Sequence, residues 1–355
     1  MTKVIANLPL LPFDIKKTET HAVLKKEAQA RQALAELKGY APVIPNQNIL
    51  ISAIALSESK ESSAIENIIT TQDELYTSMT ISPIKLNPST KEVLNYREAI
   101  YKGYEIVKKQ GLIRISDIVN IQEIIVDNNA GIRRLPGTTL INDVTGEVVY
   151  TPPQNYRDIS ELLDNFCMYF NDNEKSLWKM AILHYQFESI HPFHDGNGRI
   201  GRILNILYLL LKNYLDIPIL YLSSYIIQNK NDYYSLLQST RIEKNYESWI
   251  LYILDGIEVI SRHTLEKIRN IKNLLELSYD NIKRQCPKIY SKELVELIFE
   301  NPYSKIDFLV NKLGINRKTA SKYLKLLEEN KFLSHIQAGK EVLYINNSLM
   351  EILRE

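Results

Sequence analysis

The sequence predicts a mainly α-helical protein that carries one β-hairpin and ends in a winged helix-turn-helix. Three observations predict this. Apolar residues recur at the helical period of about 3.6 through most of the chain. One stretch, residues 137–151, alternates instead around a turn signal. After Pro287 the order becomes helix, helix, glycine, helix, hairpin.

Taken in order, Thr20 to Leu37 sets Val23, Leu24, Ala28, Leu34 and Leu37 among charges, an amphipathic helix expected to stop at Gly39. Asn46 to Leu56 reads as a second helix and Ser62 to Thr70 as a short third. Ser89 with Glu92 three residues later is a capping-box pattern, opening a long helix to about Lys109 that Gly111 closes. Ser116 caps another to about Asn128. Thr138-Thr139-Leu140-Ile141, the turn Asn142-Asp143 and Glu147-Val148-Val149-Tyr150 form the hairpin, ended by Pro152-Pro153. Helices resume over Ile159–Phe170, Lys175–Ile190, Arg199–Asn213, 231–243 and 246–276. The last domain break is expected near Gln285-Cys286-Pro287. This gives an N-terminal helical region (1–88), a central core (89–285) and a C-terminal module (286–355).

Composition narrows the function classes. A length of 355 residues suits two or three folding units. Apolar residues at 45% and charged residues at 24% are ordinary for a soluble protein, and 12 Gly with 13 Pro exclude collagen-like and largely disordered chains. Lys+Arg 43 against Asp+Glu 42 leaves a net charge of +1, so whole-chain charge points to neither a polyanion nor a membrane surface. Cys167 and Cys286 make no disulfide framework and no zinc spacing, which leaves two reduced thiols. Met1 to Lys17 lacks the pattern of a signal peptide. The most apolar stretch, Ile203 to Ile227, is interrupted by Asn205, Lys212, Asn213 and Asp216. The expectation is a soluble cytoplasmic protein with no membrane partner.

The chemistry concentrates in residues 190–203. A buried-looking helix delivers the chain to His191, and Pro192 biases that residue toward extended backbone. Gly196 and Gly198 flank Asn197 and let successive N–H groups converge on an anion. A helix starting near Arg199 adds the positive end of its dipole, and Arg199 and Arg202, three apart, share one face at that end. Such a site suits a polyphosphate. Asp195 is a hard oxygen ligand of the kind Mg²⁺ takes beside phosphate oxygens. His191 can act as a general base. His191 and His194 lack the third ligand a zinc site needs. Phe193 reads as a core anchor for the loop. A base, a metal carboxylate and a phosphate cradle together indicate phosphoryl or nucleotidyl transfer.

The run His191-Pro-Phe-His-Asp-Gly-Asn-Gly-Arg-Ile-Gly-Arg202 resembles the H-P-F-x-D-G-N-G-R-x-x-R signature of Fic-domain proteins, with every fixed letter present. The resemblance covers roughly residues 40–255 and implies a Fic-type helical core with the hairpin as a flap. It implies protein AMPylation: AMP passes from ATP to a Ser, Thr or Tyr hydroxyl of a target, or of the protein itself, and pyrophosphate leaves. By motif position His191 takes the hydroxyl proton and Asp195 holds Mg²⁺. ATP and its phosphates fall to the run Gly196, Asn197, Gly198, Arg199, Ile200, Gly201 and Arg202. Hairpin 137–151 resembles the flap on which the target docks by β-augmentation. Asn229, Tyr233, Tyr234 and Gln238 stand where the family lines its adenine pocket, although one tyrosine serves the core equally well. The resemblance also raises a homodimer.

Ser62-Ser-Ala-Ile-Glu66-Asn67 resembles the [ST]-x-x-x-E-[GN] inhibitory helix of many Fic proteins. Ser62 and Glu66, at i and i+4, share a helical face. A carboxylate bonded to Arg202 would occupy the guanidinium meant for the γ-phosphate, so self-inhibition is expected.

In the C-terminal module, helix 316–330 carries Arg317, Lys318, Lys322 and Lys325 and could read DNA. The segment 286–355 holds only 11 Lys+Arg against 9 Asp+Glu, which favours protein contact or target selection instead. The rival to an enzyme is a DNA-binding transcriptional regulator using the core as a nucleotide sensor. The presence of the base His191 argues against a purely sensory core.

Overall fold

The computed structural model describes residues 4–5, 8–14, 19–81, 86–141 and 146–354. The Asn142-Asp143 turn and much of Met1–Lys17 lie outside these described residues. In chain order the elements are β1 (Val4–Ile5), α1 (His21–Tyr40), α2 (Gln47–Ile65), α3 (Gln72–Thr80), α4 (Pro88–Gln110), α5 (Ile115–Val126), β2 (Leu140–Ile141), β3 (Val148–Thr151), α6 (Tyr156–Asn171), α7 (Leu177–Ile190) and α8 (Asn197–Leu211). Then come α9 (Ser223–Gln228), α10 (Lys230–Glu243), α11 (Tyr246–Gln285), α12 (Lys292–Glu300), β4 (Tyr303–Ser304), α13 (Ile306–Leu313), α14 (Arg317–Glu329), β5 (Ser334–Ala338), β6 (Glu341–Ile345) and α15 (Asn347–Arg354). The fold is mainly α, as the periodicity predicts.

The centre of the molecule is α7 against α8. Every residue of α7 is buried, including Lys179, His184, Gln186 and Glu188, as befits a helix packed on all sides. The helix α4 lies on α8, α2 lies on α4, and α1 runs along α11. The run His191–Arg202 thus starts at the end of one central helix and enters the other.

Several expectations change in the structure. The helices expected over 46–56 and 62–70 are one helix, α2, because its polar middle is buried and bonded. Glu58 accepts from the hydroxyls of Tyr96 and Ser223, and the Ser59 hydroxyl donates to the Ala55 carbonyl. Gly39 lies inside α1, whose end is set instead by a 3₁₀ turn, Ala41–Val43, that contains Pro42. The cap of α4 is Asn87, which accepts from the Ser89 N–H at 3.1 Å, while Glu92 is engaged elsewhere. Gly111 closes α4 in the left-handed region, as expected. The helix α5 is capped at Arg114, whose N–H donates to Asp117. The helix α11 extends nine residues past its expected end at 276 and stops at Gln285, beside the predicted break.

The hairpin forms, with Leu140 opposite Tyr150 and Ile141 opposite Val148. Its base is closed by Gln154, which accepts from the Gly137 N–H and donates to the Thr138 carbonyl. The outer edge of β3 is taken by β1 in parallel, so the sheet order is β1-β3-β2. At the C-terminal end, α12, β4, α13, α14 and the β5–β6 hairpin follow the element order of the expected winged helix-turn-helix, with sheet order β4-β6-β5. The helix α15 after it was not foreseen. Among the described residues no helix is long and apolar enough to cross a membrane.

Candidate active site

The turn between α7 and α8 is built by local and distant clamps. His191 closes α7 as its C-cap at φ 49°, ψ 60°, so its backbone is left-handed rather than extended as Pro192 suggests. A non-glycine residue in this region is held there by its surroundings. The clamp is Arg133, buried, whose Nε donates to the His191 carbonyl at 2.8 Å and whose Nη2 donates to the Pro153 and Ile190 carbonyls. Its own N–H donates to the Pro192 carbonyl at 3.0 Å. Arg133 therefore ties the end of the hairpin segment to the catalytic turn.

The second clamp is Asn197. Its side chain accepts from the Phe193 N–H and donates to the Phe193 carbonyl, both at 2.9 Å. The Asn197 amide thus closes the loop. Phe193 is fully buried, as expected of an anchor. Gly196, at φ 85°, turns the chain into α8, where a Cβ would come within 3.1 Å of Val126. Ile200 is buried in the core, and Gly201 gives room to Glu188, whose Oε1 lies 2.5 Å from where a Cβ would stand. These two residues shape the packing of α8.

Both arginines of the run are held by carboxylates. The Arg202 Nε donates to the Ser62 hydroxyl at 2.7 Å. Its Nη2 donates to the Ser62 carbonyl at 3.0 Å and to Glu66 Oε1 at 2.8 Å. Burial pulls the Arg202 guanidinium toward neutrality, but Glu66, Tyr96 and Tyr233 together outweigh this and hold the charge in place. Glu66 is the C-cap of α2 and Asn67 follows it at φ 63°, so the Ser62–Asn67 segment is a helix end rather than a separate helix. Lys230 donates to the Ile65 carbonyl at 2.7 Å and fixes that end. The Glu66 Oε1 also lies 2.5 Å from where a Cβ on Gly198 would stand. A carboxylate oxygen therefore sits over the first turn of α8, the place where free N–H groups attract an anion.

Arg199 is buried and donates to Glu92 at 3.0 Å and, more weakly, to Asp195 at 3.3 Å. Asp195 is largely exposed and also accepts from the Gly196 N–H at 2.6 Å. Its remaining oxygen capacity suits Mg²⁺, which takes one or two carboxylates and completes its shell with phosphate and water. Among the described residues no three acidic, His or Cys side chains gather on one point.

Burial, with the Arg241 and Arg133 charges behind it, pushes the His191 imidazole down to about 3. The ring is therefore neutral at physiological pH and its lone pair is free. Burial raises Glu188 to about 7 against the pull of Arg202. The hairpin is fixed beside this turn. The Tyr150 hydroxyl donates to the Ser189 carbonyl at 2.7 Å, and Gln238 donates to the Val149 carbonyl at 2.8 Å.

The expected adenine residues do not act alike. Tyr233 is a core residue, its hydroxyl 2.9 Å from the His184 ring and its own ring against Trp249. Asn229 bonds back to the Tyr225 carbonyl, and Gln238 holds the hairpin. Tyr234, 47% exposed, is the member of the set that presents its ring at the surface. Sequence reasoning missed Arg133 and Glu92. Glu92 was visible only as a capping residue, and Arg133 carried no signal.

Three stretches of the chain match family models. Residues 24–105 match a model described as Fic/DOC family N-terminal, residues 112–209 match Fic/DOC family, and residues 274–349 match the C-terminal domain of SoFic-like protein adenylyltransferases. The last match begins inside α11. The chain is 26% identical over 172 residues to the protein adenylyltransferase Fic of Aedes aegypti, covering 47% of this chain and 32% of that protein. It thus spans about a third of that relative's length. The fold is similar to a Fic family protein of Desulfovibrio desulfuricans (TM-score 0.59, 19% identity, 95% of this chain and 98% of that one). It is also similar to Fic-1 of C. elegans (TM-score 0.53, 18% identity, 71% of this chain and 75% of that one).

Proposed function

The chain belongs to the Fic/DOC family, and from that premise we propose that it is a nucleotidyltransferase that moves AMP from ATP to a hydroxyl of a target protein and holds itself inactive through Glu66. The observation that carries this is the arrangement at the start of α8. The Gly196–Gly198 turn, Arg199 and Arg202 form a polyphosphate cradle, and Glu66 is bonded to Arg202 above Gly198.

In the reaction the hydroxyl oxygen attacks the α-phosphorus. The bond from that phosphorus to the bridging oxygen breaks, pyrophosphate leaves, and His191 accepts the hydroxyl proton. Attack of this kind is catalysed by positioning and charge neutralisation. The N–H groups at the head of α8 hold the α- and β-phosphates, and the outer phosphates fall to Arg202 once Glu66 releases it. Phosphate charge entering beside His191 raises its basicity from the depressed value of the free protein. Asp195 is the residue to hold Mg²⁺, which when bound neutralises charge on the leaving pyrophosphate. A target segment extends the hairpin 137–151, either on the β2 edge or by taking the place of β1.

Incubation of the Glu66→Gly protein with ATP labelled at the α-phosphate or at the γ-phosphate tests the reading. Label from the α-position alone should become protein-bound. Protein-bound γ-label would make the transfer phosphorylation, and no label from either would remove the activity.

A further inference from the structure

We propose that α14 and the β5–β6 hairpin form a duplex DNA-binding face, a function separate from AMP transfer. The first observation is how the C-terminal module is mounted. It joins the rest of the protein through α12 against α2 and α11, β4 against α3, and α15 against α11. The bonds across this joint come from the same side: Tyr303 and Arg354 to Asp73, Gln72 to the Leu353 carbonyl, Thr80 to the Tyr303 carbonyl, and Asn46 to Glu300. The helix α14 packs on α13 and takes no part in these bonds, nor does the β5–β6 hairpin. The module is therefore attached through α12, β4 and α15, and among the described residues no hydrogen bond crosses this joint from α14 or the β5–β6 hairpin.

The second observation is where the charge lies. Lys318, Lys322 and Lys325 are exposed at i, i+4 and i+7 of α14, one stripe along one face. Lys331 after the helix and Lys340 at the hairpin tip are exposed as well. None of these five lysines has an acidic partner among the described residues, whereas most acids near them are already paired. Asp307 holds Arg317, Glu300 holds Lys312, Glu341 holds Lys305 and Glu328 lies on His335. On α14, Glu329 has no cation partner among the described residues, and Glu328 has His335, a cation only when protonated. The module's small net charge is thus misleading, since Glu293, Glu296 and Glu300 lie on α12 and Glu351 on α15, the mounting side.

A helix of 13 residues is about 20 Å long and fits the major groove, about 12 Å wide. Lysines on one stripe then reach backbone phosphates, and a hairpin tip carrying Lys340 reaches the flanking strand. Lysines contacting phosphate give affinity rather than base readout, so the face fits duplex DNA with modest sequence preference.

The test is fluorescence anisotropy of the full chain with a labelled random-sequence duplex, titrated at several salt concentrations. Five phosphate contacts predict a slope of log affinity on log salt of about −4 to −5. The variant Lys318→Gln/Lys322→Gln/Lys325→Gln should flatten that slope by about 3 and weaken binding at least tenfold at about 0.1 M salt. All three side chains are exposed, so thermal stability and AMP transfer in the Glu66→Gly background should be unchanged. No binding at about 0.05 M salt, binding unaffected by the triple variant, or equal affinity for a single-stranded RNA of the same length would each overturn the proposal. None of these outcomes bears on AMP transfer.

Discussion

Arg199 and Glu92 lie 107 residues apart and meet at 3.0 Å, joining the second turn of α4 to the first turn of α8. Arg199 is 3% exposed in its side chain and Glu92 is 40% exposed, so the guanidinium depends on the carboxylate more than the reverse. Through its weaker bond to Asp195 the same guanidinium helps orient the residue assigned to the metal. A charge-assisted bond of this kind contributes about 1.5–3 kcal/mol, and the exposure of Glu92 places it at the low end. A double-mutant cycle of Glu92→Gln and Arg199→Met, read by urea denaturation, should give a coupling near 1.5 kcal/mol. Strict additivity would mean that the pair contributes nothing.

The Arg133 guanidinium holds two carbonyls of the turn, His191 and Ile190, and one of the hairpin segment, Pro153. Lysine keeps the charge but lacks the planar fork. In the Glu66→Gly background, Arg133→Lys should lower the rate at saturating ATP by about 10–100-fold, because a misplacement of about 1 Å has effects of that order. ATP binding by calorimetry should change little. Equal losses of rate and ATP affinity would instead mean that Arg133 supports the whole site.

The imidazole of His191, pushed down to about 3, sets a pH expectation. The base must be neutral, so activity fails only as pH falls through the folded value, well below the ordinary histidine value of about 6.5. The acid limb of kcat/KM for the Glu66→Gly protein should therefore lie below pH 5.5. A limb centred at the unshifted histidine value would mean that the ring is solvated in the free protein.

These features were unequally visible in the sequence. The turn from His191 to Arg202 was legible because its chemistry is local: a proline, two glycines and two arginines in one run. The partnership of Glu66 with Arg202 was legible through the resemblance of Ser62–Asn67 to the inhibitory-helix motif, and the i, i+4 spacing of Ser62 and Glu66 only set both on one face. What escaped was long-range. Glu92 has a plausible local role three residues after Ser89, and nothing nearby tells that its carboxylate crosses to α8. The polar run Ser57 to Glu61 reads as a helix break until Tyr96 and Ser223 supply its partners. Tyr233 reads as a pocket residue until His184 and Trp249 enclose it. Capping and period are properties of neighbours in sequence, whereas burial of a polar side chain depends on elements far away.

Glu58 gives a stability prediction with a definite sign. Burial, against the Ser223 bond, raises its carboxyl to about 8 from an ordinary value of 4.5. Between those values the folded protein holds the proton and the unfolded chain does not, so stability falls as pH rises from about 4.5 to 8. The limiting slope is about 1.4 kcal/mol per pH unit. Glu58→Gln should remove this component, and the wild-type and variant urea midpoints should converge toward pH 5 and separate toward pH 8. Parallel curves would show that the carboxyl titrates alike in both states.

The central claim is that Glu66 keeps Arg202 from the nucleotide. The direct measurement is the initial rate of self-modification with α-labelled ATP in four proteins: wild type, Glu66→Gly, Arg202→Ala and the double variant. Releasing the Arg202–Glu66 bond frees a contact of about 1.5–3 kcal/mol for the γ-phosphate and realigns the α-phosphate. Glu66→Gly should be faster than wild type by one to two orders of magnitude, and adding Arg202→Ala should abolish the gain. A Glu66→Gly protein no faster than wild type would contradict the account, as would a gain that survives the loss of Arg202.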